Sequence, residues 1–163
     1  MAGFFKDLTG EKTSMIYLAF LRIYIGYYFL AAGINKLSGG FLSKPILAGI
    51  LKGWAEKNPH VWYKSFLVET AIPNADMFSY LVVTGEIAVG ALLLTGLLTR
   101  AAALIGIFMN LNFYFASGWT APASSGINRL FIVCQAVLLL AGAGRALGLD
   151  AFLKKAAPKS ILW

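Results

Sequence analysis

Residues 15–37 form an apolar run long enough to cross a bilayer, yet Arg22, Gly26, Phe29, Gly33 and Lys36 recur within it at helical spacing. A stretch of about 20 apolar residues reads as a transmembrane helix, and ionisable side chains inside one are costly unless they face a bundle interior. A second apolar run, residues 78–98, holds Glu86 near its middle with Gly90 one turn further on. A cation and an anion at comparable depth in two such helices most simply pair. The chain is therefore expected to fold as a membrane bundle with a charged interior.

The rest of the sequence extends this reading to four spans, at residues 15–37, 78–98, 101–116 and 127–146. Hydrophobic residues make up 59 % of the 163 and charged ones 13 %, about half the roughly 25 % typical of soluble domains, and mean hydropathy is +0.73. The expected fold is all-α: one integral membrane four-helix bundle over residues 1–163. The second and third spans meet at Leu98, Thr99 and Arg100, so they are antiparallel neighbours. The third, at sixteen residues, reads as a tilted or partly embedded helix running into the turn at Ser117, Gly118 and Trp119. The net charge of +7 fits anionic headgroups and an orientation signal better than nucleic acid, because it is scattered among apolar segments.

An even number of spans puts both termini on one side. Placing them in the cytoplasm leaves Lys6, Lys12, Arg100, Arg145, Lys154, Lys155 and Lys159 inside, against Lys36, Lys44, Lys52, Lys57, Lys64 and Arg129. That majority of basic residues inside follows the positive-inside rule. The polar first fourteen residues carry no small-residue cleavage pattern, and no cleaved signal peptide is expected. Residues 43–67 of the long first loop read as a lid of two short amphipathic helices. Ser43 with Pro45 marks one start, and Asn58 with Pro59 the other.

Chemistry-bearing residues fall into two groups. Antiparallel alignment of the first two spans brings Arg22 and Glu86 within reach of one another, as a pair that either fixes helix register or handles a proton or substrate. These two are the candidate catalytic residues. Lys36, Asn112, Asn128 and Arg129 gather toward the loop side as a basic, hydrogen-bonding pocket beneath the lid, with Tyr28, Phe113 and Trp119 as apolar walls. Gln135 and Gly142 continue the stripe of Asn128 at seven-residue spacing. Tyr17, Tyr24, Tyr27 and Tyr28 serve either ordinary aromatic packing or stacking on a quinone ring.

One cysteine, Cys134, excludes an intrachain disulfide and any cysteine cluster, and one histidine, His60, excludes a haem held by two histidines of this chain. No metal site is expected. Neither a dinucleotide glycine fingerprint nor a phosphate-binding loop is present. Any redox centre therefore belongs to a bound small molecule or to a partner.

Three blocks carry a family resemblance: LRIYIGYYFLAAGINKL (21–37), TGEIAVGALLLTGLLTRAAAL (84–104) and INRLFIVCQAVLLLAGAGRALGLDAFL (127–153). In these the chain resembles the DoxX family of small membrane proteins, which includes the DoxD-type small subunit of thiosulfate:quinone oxidoreductase. The matching positions are Arg22, Gly33, Lys36, Glu86, Gly96, Thr99, Arg100 and Asp150. The resemblance implies a four-helix protein of the prokaryotic inner membrane, linked to quinone-coupled oxidation of a small substrate such as thiosulfate. Quinone is then the implied cofactor, and lipid and other membrane-protein subunits the implied partners. The long amphipathic first loop departs from a minimal four-span pattern and leaves a second reading open, a non-catalytic accessory or assembly subunit packed against a larger respiratory or photosynthetic complex.

Overall fold

A computed structural model describes residues 14–160. The polar amino-terminal segment with Lys6 and Lys12, and the signal-peptide expectation attached to it, lie outside the described residues. Among those residues the chain is helical, with no strand. The helices are α1 (Ile16–Ser38), α2 (Ile46–Glu56), α3 (Val61–Phe66), α4 (Ala75–Thr95), α5 (Thr99–Ser117), α6 (Pro122–Ala141) and α7 (Asp150–Ala156). A π-helical turn, Leu67–Ala71, extends α3. Helices α1, α4, α5 and α6 are long and apolar enough to cross a membrane, and large apolar residues such as Phe108, Val133 and Leu140 cover their outer surface. The fold is an all-α integral membrane bundle.

The ends of the spans follow local chemistry that hydropathy does not register. Helix α4 begins three residues before the apolar run because Asp76 sits in its first turn, where an acidic group suits the positive end of the helix dipole. It stops at Gly96, whose φ of +65° closes the helix in the left-handed conformation open to glycine. Helix α6 starts at Pro122, five residues earlier than the expected 127. Proline at the first helical position sacrifices no hydrogen bond. Gly142 ends α6, and Ala143–Arg145 form a 3-10 turn rather than its last turn. Helix α5 runs nineteen residues and leads into a further 3-10 turn, Gly118–Thr120; the expected sixteen-residue segment was too short.

Helix α1 packs along α4, and α5 along α6. Glycine sets the first contact: a Cβ on Gly26 would stand 2.7 Å from the Leu94 nitrogen, and one on Gly90 would collide with the backbone of Leu30. Gly33 faces Ile87 and Glu86. Close approach at small residues supplies the dispersion contacts that hold helices together in lipid, where the hydrophobic effect between helices is absent. One core cluster, including Ile25, Phe29, Leu93, Ala102 and Leu138, fills the half of the bundle nearer the start of α1.

The second cluster lies at the other end, where the lid covers the bundle. Leu47, Leu51 and Ala55 of α2 and Tyr63 and Leu67 beyond them pack with Phe41, Val83 and Ala116. Asn58 fastens the lid: its Nδ2 donates to the carbonyls of Phe115 (3.0 Å) and Ala116 (3.3 Å), and its Oδ1 accepts from the His60 amide (2.9 Å). The Tyr63 hydroxyl donates to Asn112 Oδ1 at 3.0 Å. Burial pushes this phenol up to about 12, so it stays a donor at any physiological pH. The expected Ser43 cap does not form. Ser43 Oγ donates back to the Gly40 carbonyl, and α2 opens at Pro45 with no side-chain cap.

Candidate functional site

The two buried charges of the first two spans do not pair with each other. Glu86, only 5 % exposed, accepts both of its hydrogen bonds from Lys36, whose Nζ lies 2.7 Å from each carboxylate oxygen. The expected Arg22–Glu86 pair is corrected by helix register. With Gly26 against Leu94 and Gly33 against Ile87, Arg22 falls beside Gly96, ten residues or nearly three turns along α4 from Glu86 and out of its reach. Lys36, expected to face a pocket, is the cation at the depth of Glu86.

Arg22 belongs to a separate polar clasp near the start of α1. It is fully buried, and its Nη2 donates to the Leu147 carbonyl at 2.8 Å and its Nη1 to the Ala143 carbonyl at 3.4 Å. Asp150, 1 % exposed, supplies the opposing charge. The same carboxylate accepts from the amides of Leu98 (2.7 Å) and Thr99 (3.0 Å), two of the free N–H groups at the start of α5. Two leucines here, Leu98 and Leu147, have φ of +48° and +49°, a conformation unfavourable to any residue with a Cβ. Arg22 and Asp150 hold the backbone that bears that strain.

The Lys36–Glu86 pair forms part of the wall of a cleft of about 280 Å³. Tyr28, Phe29, Phe113 and Phe131 make its apolar surface, Trp54 reaches in from the lid, and Asn110 and Asn128 supply amides. The Tyr28 and Phe131 rings meet at 4.7 Å. Both N–H groups of Asn110 are committed, one to the Gly106 carbonyl (2.9 Å) and one to Gln135 Oε1 (3.2 Å), which leaves its Oδ1 as an oriented acceptor. Asn128 uses one N–H on the Ser124 carbonyl (2.8 Å) and keeps another.

Of the four residues expected to form a pocket, the structure brings Lys36 and Asn128 together and leaves two outside. Asn112 turns toward the lid, its Nδ2 donating to the Phe108 carbonyl and its Oδ1 accepting from Tyr63. Arg129 is exposed and lies 6.0 Å from the centre of the Tyr114 ring. Trp119 also stands aside, its indole N–H donating to the Ala116 carbonyl. Asn110 is the cleft residue that sequence reasoning missed. Two residues along a helix amount to about 200° of rotation, and the buried Gly106 one turn earlier marks the inward face. Among the described residues no cluster of three histidine, cysteine or carboxylate side chains is placed to hold a metal ion.

The protein-family model described as DoxX matches residues 17–119, a segment that contains Lys36, Glu86 and Asn110 and ends before α6. No solved structure matches the chain.

Proposed function

This chain belongs to the DoxX family, and we propose that its cleft binds the ring of a membrane quinone, as the quinone-side subunit of an oxidoreductase acting on a small substrate such as thiosulfate. One observation carries the reading: a lysine–glutamate pair set into an aromatic-walled cleft within the span region. A cavity of about 150 Å³ holds benzene, so 280 Å³ admits one substituted ring and leaves a long tail in the lipid. Tyr28 and Ile127, both partly exposed, flank the cleft on its lipid side.

The donor set favours a neutral ligand over an anion. Among the described residues lining the cleft Lys36 is the cation, and both Glu86 oxygens already neutralise it. An anion such as thiosulfate would have to displace a carboxylate held at 2.7 Å. A ring carbonyl needs only donors, and the third ammonium proton of Lys36 and the remaining N–H of Asn128 are available. A ring hydroxyl would donate to Asn110 Oδ1. A bound quinone supplies a two-electron, two-proton couple; Lys36 and Glu86 hold a proton at the cleft wall, and the electrons come from a partner subunit.

Trp54 in the wall makes binding measurable by fluorescence quenching with a short-tailed benzoquinone, using Trp54→Phe to assign the signal. The parent protein is expected to bind, Lys36→Met and Asn128→Leu to bind about tenfold more weakly or worse, and Arg129→Ala to match the parent. No quenching by the parent, or equal affinity in every variant, would transfer the proposal to the accessory-subunit reading.

Orientation is the second part of the proposal: both termini face the cytoplasm and the lid faces outward. The end of the bundle that holds α7 carries Arg100 at the start of α5, Arg145 in the turn after α6, and Lys154 and Lys155 of α7 itself, and Lys36 on the lid side is already paired, which sharpens the positive-inside balance. In a Cys134→Ala background, Lys57→Cys is expected to react with an impermeant maleimide from outside and Lys155→Cys only after permeabilisation. The opposite pattern, or labelling of both from one side, would reverse or discard this topology.

A further inference from the structure

We propose that the outer face of α1 is the contact surface for a second copy of this chain, giving a parallel two-fold dimer within the membrane. Tyr17, Phe20, Tyr24, Tyr27, Ala31 and Ile34 follow one another at alternating steps of three and four residues. That is the a/d spacing with which one helix packs along another in a left-handed crossing. The stripe lies away from α4, and four of its members are 63–66 % exposed: Tyr17, Phe20, Tyr24 and Tyr27.

Lipid alone is a poor occupant for this face. Helix α1 has 23 residues, so Tyr27 stands at its midpoint and Tyr24 one turn away. The bilayer surface is about 15 Å from there, beyond the reach of a tyrosine hydroxyl. Among the described residues neither hydroxyl has a hydrogen-bond partner, and a polar group left unsatisfied in hydrocarbon costs free energy. A covering helix therefore needs hydrogen-bonding groups at this depth.

A second copy supplies them by symmetry. Rotation about an axis along the membrane normal sets a beside a and d beside d at equal depth, so Tyr24 and Tyr27 meet their own counterparts. A hydroxyl is both donor and acceptor, so each such pair makes a hydrogen bond in which one hydroxyl donates and its counterpart accepts. The seam bears no charge, so nothing in it selects an oppositely charged partner. Its four large aromatic side chains alone would bury on the order of 500 Å² per copy, the larger part of the roughly 800 Å² per partner in a stable interface.

The test uses purified full-length protein with Cys134→Ala, reconstituted in liposomes. Tyr27→Cys is expected to form a disulfide-linked dimer on mild oxidation, whereas Val133→Cys, equally mid-span and exposed on α6, is not. Tyr24→Phe with Tyr27→Phe keeps the rings and removes the hydroxyls. It is expected to weaken dimerisation, measured by energy transfer as lipid dilutes the protein, by about tenfold with no change in helicity. No cross-link at position 27, or equal cross-linking at 133, overturns the proposal. So does a position-27 cross-link formed in native membranes only to a different protein, which would assign the seam to another subunit.

Discussion

Lys36→Met is expected to destabilise the protein more than Glu86→Gln, although the two residues form one ion pair. The asymmetry comes from burial, with 30 % of the lysine side chain exposed against 5 % of the glutamate. Removing the lysine strands a carboxylate inside the bundle, a change that costs about 3 to 5 kcal/mol when a buried pair loses one member. Removing the glutamate frees a long side chain near the end of α1, where its ammonium can extend to headgroups and water; a loss of about 1 kcal/mol follows. Lys36→Met combined with Glu86→Leu should recover most of the loss, because no unpaired charge remains. Denaturant titration in detergent for the three variants checks this. A parallel cycle with Arg22→Met and Glu86→Gln should be additive, since Arg22 lies beside Gly96, ten residues or about 15 Å along α4 from Glu86. Strong coupling in that second cycle, or equal losses in the two single variants of the first, would contradict the register described above.

Asp150→Ala is expected to be the other severe substitution, even though the residue lies beyond the last span. Its carboxylate accepts from two amides at the start of α5, the Thr99 one buried and the Leu98 one partly so, and opposes the charge of Arg22. Alanine leaves both amides without their acceptor and Arg22 without its counter-charge, although the Leu147 and Ala143 carbonyls still accept from the guanidinium, and the combined cost is about 3 to 5 kcal/mol. Asparagine keeps the shape and one acceptor oxygen, so Asp150→Asn should fall between alanine and the parent. The failure should also be local before it is global: with the clasp open, residues 147–160 detach from α1. Limited proteolysis should then cut this segment in Asp150→Ala at protease levels that leave the parent intact. Equal protection in both proteins, with unchanged unfolding midpoints, would show that Asp150 does not hold the clasp closed.

These two results concern the part of the molecule that was least legible in the sequence. Arg22 and Glu86 stood out as buried charges, and both are buried, but each was assigned the wrong partner. The partner depends on how far α1 slides along α4. That displacement is set by Gly26 against Leu94 and Gly90 against Leu30, contacts between residues sixty or more positions apart that hydropathy does not encode. Asp150 was visible only as one of the positions carrying the family resemblance. Its role as a cap for α5 requires the turn after α6 to fold back across the bundle.

The cleft divides in the same way. Lys36, Asn128, Tyr28 and Phe113, grouped in the sequence by depth, line one cleft, and depth follows from position along each apolar run. Asn110 and Asn112 share that depth and differ in rotation about the axis of α5, which is fixed by the contact of Gly106 with Gln135. The sequence by itself determined what is local and additive: four spans, the helical lid formed by the first loop, the DoxX kinship, and that Arg22 and Glu86 would be buried. Only the tertiary structure decided which of those charges meet and which amide faces the cleft, because helix slide and helix rotation are settled by close packing between distant residues, at distances where one methyl group decides the fit.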